Sequence, residues 1–173
     1  MLFLIAVVVG LAFGLVTGGR VGNLARLKFR WPWVILVALL VREAIVRTPL
    51  SRVDGAQYAY VVALAAILAW TAWHVDRLRG IWLVTVGAAL NLVVILANGG
   101  RMPVSPELAG PLLRLGSIGQ YTAMGPNTNL NLLGDWIRLY PSAEIYSPGD
   151  LLIAIGLAIT VFIATATPAR IVG

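Results

Sequence analysis

The stretch YSPGDLLIAIG, residues 146–156, decides how the chain is read, because it turns a Gly- and Pro-broken segment into an apolar run that continues uncharged to residue 169. A run of about 20 apolar residues is long enough to cross the hydrocarbon core of a bilayer as a helix. The residues before it carry a start signal: Ser147 as N-cap, Pro148 at the first helical position, and Asp150 at the third, where an acid can reach back to the N-cap amide. Asp150 also meets the positive end of the helix dipole. An aspartate at the mouth of a membrane helix equally suits the acid of a membrane-embedded active site, and both readings stand at this point.

Outward from there, four more runs have the same character, at 1–18, 31–49, 57–75 and 81–98. The first has no basic segment ahead of it and no small-residue cleavage site, so it is expected to be retained rather than removed as a signal peptide. Of the 173 residues 60% are hydrophobic and 12% charged, and the mean hydropathy is +0.89. This is the composition of an integral membrane protein. The expected fold is all-α: a polytopic bundle of about five transmembrane helices forming one domain over residues 1–173, with the last at 150–169 and a structured outer loop at 99–149.

No cysteine is present and His74 is the single histidine, which excludes disulfides, thiolate chemistry and multi-His zinc sites. No metal or cofactor is expected. The net charge of +6 is read as membrane topology and lipid-headgroup contact rather than nucleic-acid binding, because the basic residues flank apolar runs. Arg20, Arg26, Lys28 and Arg30 lie between the first two spans, and Arg77 and Arg79 between the third and fourth. The positive-inside rule puts both loops in the cytoplasm, the amino terminus outside, and the carboxyl terminus with Arg170 inside. Trp31, Trp33, Trp70, Trp73 and Trp82 fall near span ends, as an interfacial aromatic belt does. Gly10, Gly14 and Gly18 share one face of the first span, which lets another helix approach closely, within the chain or in a homodimer or partner complex.

The segment from Gly99 to Gly149 is too broken to span and too apolar to be disordered. Within it SPELAGPLLRL, opened by Ser105 and Pro106, predicts a short amphipathic helix. The second span carries Arg42 roughly 18 Å along its axis from Arg30, followed by Glu43 and by Arg47 four residues later, a spacing that pairs them on one helix surface. Such residues face a bundle interior or wet cavity, or else reach the outer headgroups as the helix tilts. Asn91 and Asn98 lie seven apart on one face of the fourth span; Asn91 reads as a bond to a neighbouring helix. NGGR at 98–101 fits either a phosphate- or carboxylate-holding turn built on Asn98 and Arg101 or a helix C-cap. The last loop adds Asp135, Arg138 and Glu144, and Asp135 with Asp150 would make an acid and base pair if the fold brings them together.

NGGRMPVS at the end of a helix, LGDWI in the following loop and YSPGDLLIAIG at the final helix together resemble a family of small bacterial multi-pass membrane proteins catalogued as a domain of unknown function. The resemblance covers most of the chain and implies a bacterial inner-membrane protein, with no established activity to carry over. A partial resemblance is to the lipoprotein signal peptidases, aspartyl enzymes whose last helix opens with Asn-x-Ala-Asp-x-x-Ile-x-x-Gly. Asp150, Ile153 and Gly156 match that spacing, and GDW around Asp135 looks like the Val-Asp-Phe before it. The second catalytic acid of those enzymes belongs to Gly-Asn-x-x-Asp-Arg, and GNLAR at 22–26 lacks the acid. An enzyme of that type here needs Asp135 in the other role.

Three classes of function follow. Arg42, Arg47, Arg101, Arg114 and Arg138, with Glu43 and Asn98, could hold an anionic lipid headgroup or lipid-linked phosphate at the outer face. Asp135 and Asp150 could serve a membrane hydrolase. The glycine face and apolar loop could serve a non-catalytic subunit with a protein partner. No ring of pore-lining charge and no internal repeat points to a channel or secondary transporter.

Overall fold

A computed structural model describes residues 1–53, 55–108, 119–140 and 144–166. Among them are five α-helices: α1 (Leu2–Val16), α2 (Pro32–Arg47), α3 (Ala56–Trp73), α4 (Ile81–Ala97) and α5 (Pro148–Ala166). Their ends fall within two residues of the apolar runs, apart from the end of the last run, which lies outside the described residues. The protein is mostly helical, and α3 and α5 are long and apolar enough to cross a membrane, while α1 and α4 are shorter apolar helices. Only 22% of the apolar window of α3 and 28% of that of α5 is buried within the fold, whereas a core helix of a water-soluble domain is mostly covered. Large side chains such as Leu4, Phe13, Leu40, Val62 and Val93 point outward, which suggests a membrane location.

The helix pairs in main contact are α1 with α5, α5 with α4, α4 with α3, and α3 with α2. The last helix in sequence is thus inserted between the first and fourth. Glycines make this possible. A Cβ at Gly10 would overlap the backbone of Ala158, and one at Gly14 would lie 2.6 Å from the Thr165 side chain. A Cβ at Gly156 would lie 2.7 Å from the Val84 nitrogen on the other side of α5. Gly10 and Gly14 therefore serve close approach inside the chain. Gly18 does not belong to that face: with φ of +87° it follows the C-cap of α1, and the amides of Gly18 and Gly19 bond back to Leu15 and Gly14 at 3.0 and 2.9 Å in a Schellman closure.

At one end of the bundle, residues 17–31 meet residues 74–80. His74 is fully buried, its Nε2 accepts the Arg30 amide at 3.0 Å, and its Nδ1 lies 2.7 Å from the Trp70 carbonyl. The two bonds together assign the proton to Nδ1. Trp70 stacks on His74 and donates its indole N–H to the carbonyls of Arg30 and Trp31 at 2.9 and 3.2 Å. This latch supports Trp31, which has a φ of +50° where L-residues are uncommon.

At the other end, residues 98–147 add four short strands: β1 (Met102–Val104), β2 (Tyr121–Ala123), β3 (Ile137–Arg138) and β4 (Ile145–Tyr146). β1 pairs parallel with β2 and β3 antiparallel with β4. The fold is mostly helical as expected, and these strands are an addition the sequence reading did not include; at two or three residues each they are too short to leave an alternating pattern in the sequence. Of the helix expected over SPELAGPLLRL, Ser105–Leu108 forms a turn closed by a 3.1 Å bond, and the remainder, with Arg114, lies outside the described residues.

Candidate functional site

Arg42 and Glu43 leave the second half of α2 side by side and form an ion pair, and Arg47 Nε donates to the other oxygen of Glu43 at 2.5 Å. Their exposures separate them. The Arg42 side chain is 28% exposed and that of Arg47 77%, so only Arg42 turns inward.

Asp135 is placed by backbone. Its amide donates to the Pro103 carbonyl at 2.8 Å, its own carbonyl accepts from Ser105 at 2.9 Å, and it bridges to Val104 on the side of β1 away from β2. Met102 and Val104 are buried, and Met102 belongs to the core made by Ile45, Tyr60, Val94 and Ile95. The strand that positions Asp135 is therefore anchored on three helices. The residue is 8% exposed and its Oδ1 has no hydrogen-bond partner. Burial, then the Asp150 carboxylate, push its carboxyl up to about 8, with the Arg42 guanidinium opposing them. The shift favours the protonated form of Asp135 into the neutral range. Tyr121, on β2, is raised for the same leading reason, burial, and next by Asp135.

Asp150 is held by side chains. The Ser147 amide donates to its Oδ2 at 3.1 Å and its own amide donates to Ser147 Oγ at 3.0 Å, the two reciprocal bonds of a capping box. Asn91 Nδ2 on α4 donates to Asp150 Oδ1 at 2.9 Å, and Ser147 Oγ donates to Asn91 Oδ1 at 2.9 Å, closing a ring. Removing the carboxylate with Asp150→Ala is expected to lower the thermal midpoint in detergent, by the loss of a cap worth about 0.5 to 2 kcal/mol. The unpaired Asn91 amide and Ser147 N–H add to that loss.

Arg42, Asp135 and Asp150 are thus brought within electrostatic reach of one another. Tyr60, 6% exposed on α3, interacts with all three and with Tyr121. Neither tyrosine was singled out by sequence, since a phenol on an apolar helix or short strand has no marker of spacing. The remaining candidates lie elsewhere. Asn98 Nδ2 donates to the carbonyls of Val94 and Asn129 at 2.7 and 2.9 Å, and its Oδ1 accepts from the Asn129 amide at 2.8 Å, so it ties the loop to α4. Gly99 and Gly100 bond back to Leu96 and Ile95 at 3.3 and 2.9 Å. NGGR is therefore a helix C-cap, and its amides are occupied rather than open to an anion. Arg101 donates to the Gly119 carbonyl at 3.2 Å, Arg138 is exposed on β3, and Glu144 is exposed and accepts from Tyr146 at 2.6 Å. No group of three His, Cys, Asp or Glu that could hold a metal occurs among the described residues.

The family model DUF5317, described as a family of unknown function, matches residues 26–162. The chain belongs to this family. DUF5317 thus covers α2 to most of α5 and includes Arg42, Asn91, Asp135 and Asp150. No curated protein and no solved structure matches the DUF5317 chain.

Proposed function

We propose that this DUF5317 protein is a multi-pass protein of the bacterial inner membrane in which Asp135 and Asp150 act as an acid and base pair, hydrolysing an amide or ester presented at the outer face. The observation that carries the reading is Asp135 Oδ1, a buried carboxyl oxygen without a hydrogen-bond partner, on a residue within electrostatic reach of a second carboxylate and an arginine. Buried carboxyls are normally bonded, and one left open and protonated is suited to donate to a substrate oxygen.

In this reading Asp150 takes a proton from water as its oxygen bonds to the substrate carbonyl carbon, and Asp135 gives its proton to the carbonyl oxygen. Collapse of the resulting diol breaks the bond to the leaving group, which takes the proton from Asp150, while Asp135 regains one from the diol. One water is consumed and both acids return to their starting states. Arg42 offsets the charge of the pair. The end bearing His74 lies in the cytoplasm, the amino terminus outside and the carboxyl terminus inside, in keeping with the basic loops.

An anionic headgroup at this face is the weaker reading. It would meet two acids beside Arg42, itself paired with Glu43, while Arg47, Arg101 and Arg138 are spread away from the pair. A statine-containing peptide, whose hydroxyl takes the place of water between paired carboxyls, tests the proposal. It is expected to raise the thermal midpoint of the wild type, and not of Asp135→Asn or Asp150→Asn. An equal rise in Asp135→Asn would remove the acid pair from consideration.

A further inference from the structure

The opposite end of the bundle carries a second concentration of charge that the acid pair does not involve. Leu27 packs against the small core of Leu78, Ile81 and Val84, and Leu78 is 5% exposed. Each leucine pins down a segment whose neighbours on both sides are cations: Arg26 and Lys28 about Leu27, Arg77 and Arg79 about Leu78. Side chains flanking an anchored residue are left at the surface around it, and all four cations are exposed. None of them forms an ion pair among the described residues. The nearest acid in sequence is the exposed Asp76, so this end carries a clear excess of positive charge.

The aromatic residues fix the depth of this end. Trp31, Trp33 and Trp73 are 59%, 58% and 47% exposed, with Trp31 stacked on Trp33 and edge-on to Trp73. Exposed tryptophans at the end of apolar helices settle at the headgroup level of a bilayer. The Arg30 guanidinium lies 5.6 Å from the Trp73 ring centroid, so the cationic rim and the aromatic belt occupy the same level. The His74–Trp70 latch joins the two loops, so the four cations are presented by a braced surface.

We infer that Arg26, Lys28, Arg77 and Arg79 form a binding site for the headgroup of an anionic phospholipid. Its phosphodiester is held by the cations, and its acyl chains lie along the apolar faces beside the tryptophans. A zwitterionic headgroup offers the same phosphate, but its ammonium is repelled by the cluster. The site is independent of Asp135 and Asp150.

The test is the thermal midpoint of the detergent-purified protein with added phosphatidylglycerol, phosphatidylcholine or inorganic phosphate. Phosphatidylglycerol at saturation is expected to raise it by about 5 °C. The rise should be absent from Arg77→Gln/Arg79→Gln and from Arg26→Gln/Lys28→Gln, and kept by Arg138→Gln at the other end. An equal rise with phosphatidylcholine overturns the inference, as does one with inorganic phosphate, which would mark a free-anion site. Native mass spectra of the same variants provide a readout that does not depend on melting: the wild type should retain phosphatidylglycerol over phosphatidylcholine, and either double variant should lose that preference. Unchanged retention in both double variants also overturns it.

Discussion

Asp135→Asn is expected to make the protein more stable above about pH 8, by several kcal/mol, while leaving it unchanged in strong acid. Burial is the main reason that the folded state holds the Asp135 proton up to about 8, against an ordinary value of 3.8. Between those values the unfolded chain has released a proton that the folded chain keeps, so stability falls as pH rises. The contribution is fully present below about pH 4 and is lost as pH passes through about 8, at up to about 1.4 kcal/mol for each unit. Asparagine has the same shape and never ionises, so it escapes this loss. Thermal midpoints of the two proteins across that range should converge at low pH and separate steadily above it. Parallel curves would mean that Asp135 is ionised in the fold, and the acid role would go with it.

Gly149→Ala is expected to be the most disruptive single methyl group that can be added near the site, lowering stability by about 3 kcal/mol. Its Cβ would overlap the Asn91 carboxamide oxygen and lie 2.7 Å from the Gly87 carbonyl on α4. Neither atom can yield cheaply: one belongs to the ring around Asp150 and the other to helix backbone. Separation of α4 from α5 would break the Asn91–Asp150 and Ser147–Asn91 bonds together. Truncating the obstacle should therefore recover part of the loss. The double variant Asn91→Ala/Gly149→Ala is expected to melt above the sum of the single effects, whereas simple additivity of the midpoints would mean that the glycine is not spaced by Asn91.

The helices were legible because runs of about 20 apolar residues stand out from the segments between them, and Ser147 with Asp150 marked the start of α5; Gly18, read as part of the packing face, instead closes α1. The capping box is local, so three residues sufficed to read it. The position of α5 between α1 and α4 was not legible, since the glycines on α1 state that some helix comes close without saying which. For the site, the acids and Arg42 could be named because charge is rare in apolar sequence. Their assembly depends on Val104 bridging Asp135 and on Met102 reaching the core, contacts between residues more than 30 apart or on separate elements. NGGR had two readings, and the φ of +65° at Gly99 with the amide bonds that follow it decides for the cap.

On the acid-pair proposal, the two acids would be retained on different terms. Asp150 starts a helix and closes a ring with Ser147 and Asn91, so a lineage that lost the chemistry would still lose stability by discarding it. Asp135 is held by its main chain alone, and its carboxyl oxygen has no partner, so drift would replace it once its use had ended. When other DUF5317 sequences are sorted into working and decayed copies, an aspartate at the helix start is therefore uninformative. On that proposal, the residue at the position of Asp135 is the one that discriminates.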